Sequence, residues 1–228
     1  VIPLKDDNPT TIQPVVTLTV IGLCILVFLW QSSLSQESSQ AAIYALGFIP
    51  AVLIGNAELP AQLIWVPAPT TVFTSMFLHG GLLHLAGNML YLWVFADNIE
   101  DSMGHGRFVL FYAVCGVAAA LAQAAPELGS TIPMIGASGA VSGVLGAYVL
   151  LYPHARVLVV VPLLVVFYRL RLPAFVVLGI WFAGQLLNSL AVPEAGGGIA
   201  FRAHVGGFVA GLLLIKFFQR HRPSGGRA

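Results

Sequence analysis

The chain has 228 residues, 58% of them hydrophobic and only 8% charged, with a formal net charge of +1. Soluble domains carry about 25% charged residues, so this composition, with a mean hydropathy of +0.90, points to an integral membrane protein. The apolar runs are continuous rather than alternating, which excludes a membrane β-barrel; no nucleic-acid partner is expected, although the charge itself says nothing about one.

Residues 1–14 are short and polar (Lys5, Asp6, Asp7, Asn8). They lack the basic region and cleavage site of a signal peptide, so they read as a cytoplasmic segment before a retained first span. Crossing a hydrocarbon core takes about 20 apolar residues. Six stretches meet or approach that length, at 15–31, 81–100, 107–125, 137–152, 173–191 and 201–218. The expected fold is an all-α membrane protein, a six-transmembrane-helix bundle occupying 15–218, with 219–228 as a basic cytoplasmic tail. Residues 32–70 mix polar positions with an apolar run at 41–54, interrupted by Pro50, and with Trp65-Val66-Pro67. They read as a first loop lying in the membrane interface. The fourth stretch is short and opens on Gly136-Ala137-Ser138-Gly139. A span that starts below the surface leaves a water-filled dent above it, which a hydrolase needs.

The run 157–168 is apolar too, but short, β-branched and broken by Pro162. Charge decides its status. If it does not span, Lys5, Arg107, Arg156, Arg169, Arg171, Lys216, Arg220, Arg222 and Arg227 share one side and only Arg202 lies on the other. The positive-inside rule makes the basic side cytoplasmic. Residues 153–172 are therefore expected to form a membrane-hugging hairpin there, with both termini inside. Cys24 and Cys115 fall in apolar runs and read as packing residues rather than a disulfide framework.

With six spans, the second, fourth and sixth run from outside to inside. His79, His84 and Asn88 then lie near the outer end of the second, Ser138 of the fourth and His204 of the sixth. Ionisable groups in membrane spans are costly and mark function by default. Ser138 is flanked by residues with almost no side chain, and a histidine is the commonest group able to take a hydroxyl proton near neutral pH. His84 and Asn88, four apart, share a helix face, whereas His79 and His84, five apart, do not. That spacing is poor for zinc and no metal is expected. Two donors on one face suit an oxyanion instead. Small residues at Ser138, Ser142 and Gly146, and at Ala203, Gly207 and Gly211, form rows along which helices can approach closely.

The chain resembles the rhomboid family of intramembrane serine proteases, of the six-span bacterial type. The resemblance rests on His84-Leu85-Ala86-Gly87-Asn88, Gly136-Ala137-Ser138-Gly139 and Ala203-His204-Val205-Gly206-Gly207. It is supported by 73–80 before the second span and 95–101 at its end. It implies Ser138 as nucleophile and His204 as general base, with His84, Asn88 and the Ser138 N–H forming the oxyanion hole. His79, Gly136 and Gly139 would order the site, and Glu100 and Gly104 would be structural. It implies no cofactor, transmembrane proteins as substrates, and a bacterial inner-membrane location with the site opening outward. Substrates would enter between the second and fifth spans, where Trp181 and Phe182 are the gate candidates. Two positions depart from the family pattern. Thr70-Thr71 stands where a Trp-Arg pair is frequent, and Ser142 stands where an aromatic residue stacks on the histidine in some members. No carboxylate is placed to complete a triad, because Asp97, Glu100 and Asp101 lie at the other end of the second span. A pseudoprotease that only holds substrates would lack the serine or the histidine, and a transporter would show repeated halves, which this sequence does not. Nothing in the sequence sets the oligomeric state.

Overall fold

A computed structural model describes residues 1–163, 166–191 and 200–220. In chain order its strands and α-helices are β1 (Ile2–Asp6), α1 (Val15–Ser33), α2 (Gln36–Leu46), α3 (Pro50–Leu53), α4 (Thr71–Thr74), α5 (Leu82–Met103), α6 (His105–Ala124), α7 (Ser138–Leu151), β2 (Arg156–Leu163), β3 (Val166–Pro173), α8 (Ala174–Ala191) and α9 (Phe201–Phe218). Each of the six apolar stretches forms a helix, from 14 residues in α7 to 22 in α5. Of these, α1, α6 and α9 are long and apolar enough to cross a membrane, while α7 is a shorter apolar helix. The 32–70 loop folds into α2, α3 and two short 3-10 turns.

The all-α expectation needs correcting. A three-stranded antiparallel sheet, in the order β1-β2-β3, joins the N-terminal segment to the 153–172 hairpin. β-branched residues favour a pleated surface, and Val157 and Val159 are wholly buried under the bundle. Ile2 pairs with Val160 and Asp6 with Val157. The Tyr148 hydroxyl on α7 donates to Asp6, and burial raises the Asp6 carboxyl above its ordinary pKa. The segment 1–14 is thus built into the fold. Of the tail 219–228 only Gln219 and Arg220 are described; Arg222 and Arg227 lie outside the described residues.

The close approach expected between the fourth and sixth stretches is made by glycines. A Cβ on Gly207 would strike the carbonyl of Gly139, one on Gly211 that of Gly143, and one on Gly146 that of Phe208. The α7 row that meets α9 is therefore Gly139, Gly143 and Gly146. Ser142 instead turns its hydroxyl back to the Ser138 carbonyl at 2.6 Å. On the other side of α7, a Cβ on Gly139 would sit 2.6 Å from Ala119 of α6. Helices α6, α7 and α9 so form a tight triplet, with α5, α1 and α8 packed around it.

At the C-terminal end of α5, Glu100 is wholly buried. Its carboxylate accepts from the Val16 N–H at 2.9 Å, the Thr17 N–H at 2.8 Å and the Thr17 hydroxyl at 2.7 Å. Pro14, at the N-cap of α1, supplies no side-chain cap, so Glu100 satisfies donors that α1 cannot satisfy itself. His105 Nδ1 lies 2.5 Å from the same carboxylate. Gly104, at φ +78, turns the chain from α5 into α6, a left-handed conformation that glycine adopts without strain.

Candidate active site

Ser138 is the first residue of α7, so the free N–H groups and positive dipole end of that helix lie beside its hydroxyl. Gly136, at φ +123, shapes the entry, and its N–H donates to the Ser75 carbonyl at 2.8 Å. A Cβ there would come within 2.8 Å of His84 Cε1 and Nε2 and 3.7 Å of the Ser138 hydroxyl. Glycine at 136 thus lets the strand of chain before Ser138 lie against the His84 ring. Gly139 acts differently: it is buried in the α6 contact, away from the cavity.

A cavity of about 990 Å³ opens here, and Ser138, His204, His84 and Asn88 all line it. They arrive from three helices, α7, α9 and α5. Asn88 is the seventh residue of α5, about 10 Å along the helix axis. Its Nδ2 is buried and has no hydrogen-bond partner among the described residues. His84 Nδ1 faces the Gly80 N–H at 3.4 Å, which leaves Nε2 to carry a proton toward Gly136 and Ser138. His204 is 9% exposed and sits at the wall of the same cavity.

His79 lies before α5 rather than on it, so the helical-face argument that separated it from His84 does not apply. The two rings meet edge to face, with centroids 5.2 Å apart. The His79 N–H donates to Gln31 Oε1 at 3.0 Å and its Nδ1 faces the Phe77 carbonyl at 3.1 Å. Burial first, and the neighbouring His84 ring second, push its pKa down to about 4. At neutral pH it is therefore an uncharged support for His84. The gate candidates separate as well. Trp181 lines the cavity and packs against Tyr91 of α5 at 6.1 Å and against His204 at 6.0 Å. Phe182 stacks on Phe208 at 4.4 Å and is not among the cavity-lining residues.

The family model for the Rhomboid domain matches residues 67–221, a segment that contains every residue of this cavity but Pro50 and most of the chain. The chain belongs to the rhomboid family. It is similar to Rhomboid protein 1, mitochondrial, of Saccharomyces cerevisiae, at 28% identity over 232 residues, covering 88% of this chain and 63% of that protein. It is also similar to Rhomboid protease GluP of Bacillus subtilis, at 33% over 135 residues, 59% of this chain and 24% of that one. The human presenilin-associated rhomboid-like protein, mitochondrial, is 28% identical over 151 residues, 63% of this chain and 36% of that one. The chain spans less than two thirds of the length of each of these relatives.

This rhomboid also has site residues that the sequence did not single out. Gln185 of α8 places Oε1 2.7 Å from His204 Nδ1. Gln123 of α6 accepts from the Ala203 N–H at 3.0 Å, one residue before the histidine. Gln31 of α1, buried to 5% exposure, holds the His79 backbone. Each is an amide side chain inside an apolar run, and that was the available signal.

Proposed function

We propose that this rhomboid is an intramembrane serine endopeptidase that cuts transmembrane proteins with a Ser138–His204 dyad. The observation that carries this reading is the cavity that gathers a helix-start serine, a buried histidine and a buried amide donor without a hydrogen-bond partner among the described residues. His204 Nε2 removes the Ser138 proton as Oγ attacks the scissile carbonyl carbon. The carbonyl oxygen becomes an oxyanion, met by Asn88 Nδ2, His84 Nε2–H and the N–H groups at the start of α7. Such fixed donors strengthen as charge develops. Collapse breaks the C–N bond, and the imidazolium gives its proton to the leaving amine. Water admitted through the cavity then adds to the acyl-enzyme, again with His204 as base, and frees Ser138. No cofactor is called for by these steps.

In this reading the six apolar helices span the bilayer, with both ends of the chain and the sheet on the cytoplasmic side and the cavity opening outward, in a bacterial inner membrane. The nine-to-one distribution of basic residues supports that sidedness. Substrates enter laterally between α5 and α8, where Trp181 meets Tyr91. A fluorophosphonate probe tests the reading: purified protein in detergent should be labelled on Ser138 and should cleave a single-span reporter. Ser138→Ala and His204→Ala should each abolish cleavage while remaining folded. Wild-type turnover by Ser138→Ala ends the proposal.

A further inference from the structure

The dyad leaves one problem unsolved. An imidazole is a base at Nε2 only if its proton sits on Nδ1, and a lone histidine in an apolar wall has nothing to choose between the two tautomers. Ser142 stands where an aromatic ring would otherwise stack on the histidine, and its hydroxyl is committed to the Ser138 carbonyl.

Helix α8 supplies an answer. Trp181 and Gln185 are four residues apart and so lie on one face of that helix. Both reach His204: the indole packs against the imidazole at a 6.0 Å centroid distance and 37°, and Gln185 Oε1 lies 2.7 Å from Nδ1. Phe201, one turn earlier on α9, meets the ring edge-on at 6.5 Å and 89°. The ring's plane is therefore fixed by aromatics on two sides, and its rotation by one hydrogen bond. An amide oxygen has lone pairs and no proton, so it can only accept. Nδ1–H donating to Gln185 leaves the Nε2 lone pair free for Ser138.

We infer that Gln185 is a positioning residue that holds His204 in its Nδ1–H tautomer and orientation, taking the place of a triad carboxylate while Trp181 and Phe201 pack against the ring. The inference rests on the protease reading for its catalytic consequence, but the tautomer itself does not depend on activity. An amide differs from a carboxylate in that it orients the ring without adding a full charge to stabilise the imidazolium. Loss of an outer partner that orients a metal-ligating histidine costs about 10–100-fold, and by analogy Gln185→Leu should fall in that range.

The test uses the full chain in detergent micelles with 15N-labelled histidine. In the wild type the His204 signals should report protonation on Nδ1 alone at pH 8. Gln185→Leu should lose that tautomer preference and lower kcat by about 10–100-fold with KM little changed. Gln185→Glu, which keeps an acceptor at the same reach, should restore the tautomer and most of kcat. Thermal unfolding of each variant identifies any that is misfolded. An Nε2–H tautomer in the wild type, with the amide NH2 turned to the ring, overturns the inference. So does a Gln185→Leu enzyme that turns over like wild type, or one that Gln185→Glu does not improve. A wild-type protein that neither cleaves nor labels at Ser138 defeats the protease reading instead and leaves the tautomer measurement standing.

Discussion

At the Leu82 end of α5, Asn88 carries a buried amide NH2 beside a cavity, without a partner among the described residues. At the Met103 end, Glu100 is just as buried, yet both of its oxygens accept hydrogen bonds from α1 and Oε1 also faces His105. Asp101, a residue away, takes the Thr11 hydroxyl at 2.7 Å and its N–H at 3.2 Å. An unpaired buried donor costs roughly 1–3 kcal/mol, so a fold tolerates one where a ligand can bond it in time. One helix thus carries a satisfied end that holds the bundle together and an unsatisfied end that faces the cavity. Being unpaired is not sufficient by itself. Tyr112 OH and Asn98 Oδ1 also have no partner among the described residues, and neither lines the cavity. The informative combination is an orphaned donor together with a cavity and the proposed nucleophile.

The contrast is tested hardest at Glu100. Glu100→Ala strips the cap from α1 and leaves the Val16 and Thr17 donors buried without an acceptor. The expected loss is roughly 1–3 kcal/mol for each buried donor left without its acceptor. Glu100→Gln should recover part of it, since an amide keeps one acceptor. Unfolding by denaturant in micelles measures this, with peptide cleavage recorded on whatever fraction remains folded. If Glu100→Ala unfolds like wild type, the satisfied end is not what holds α1 to α5.

Asn88 should behave in the opposite way. Asn88→Ala breaks no side-chain hydrogen bond among the described residues, so its unfolding midpoint should stay at or above that of the wild type. Its kcat should fall by up to about 10²–10³, the range for one oxyanion donor, and by less if His84 and the α7 N–H groups compensate. Substrate affinity should change little, because the missing bond forms as charge develops. A variant that loses stability and affinity together, with kcat intact, would make Asn88 a packing residue and dissolve the contrast between the two ends.

Much of this was legible in the sequence, and the reasons differ by region. The long helices announce themselves as unbroken apolar runs, because a bilayer rewards nothing else, and Phe201–Phe218 coincides with the expected bounds. Ser138, His204, His84 and Asn88 stand out because polar groups in such runs need a reason to be there. The sheet did not stand out. β1 is five residues whose partner strand lies some 150 positions later, and no local pattern encodes a pairing of that separation. Gln185 was hidden for another reason. In sequence it is one polar residue among several on α8, with Asn188 and Ser189 just beyond. Asn188 and Ser189 bond back to their own helix, at 2.7 and 2.8 Å. Only setting α8 against α9 reveals that Gln185 reaches another one. Small-residue rows were half legible: the α9 row was identified, but its partner on α7 runs through Gly139 and Gly143 rather than Ser142.

The smallest expected effect lies on the seam between α5 and α8, where Trp181 and Phe182 are neighbours in sequence with different surroundings. Trp181 bridges Tyr91, His204 and Phe208, so it touches the cavity and both sides of the proposed entry. Phe182 stacks on Phe208 alone among the described ring contacts. Trp181→Ala should open the seam to a helical substrate while also freeing the His204 ring on one face. Its absolute rates therefore mix two effects, and the quantity to compare is the ratio of transmembrane-substrate to soluble-peptide cleavage in liposomes. That ratio should rise a few-fold for Trp181→Ala and stay at the wild-type value for Phe182→Ala. Both variants should lose stability, by less than the roughly 3–5 kcal/mol of a fully buried aromatic, since both rings are only partly buried. A ratio that rises for Phe182→Ala and not for Trp181→Ala would move the entry to the α8–α9 side. A ratio unchanged in both would make the two rings ordinary packing and leave substrate entry to another part of the wall.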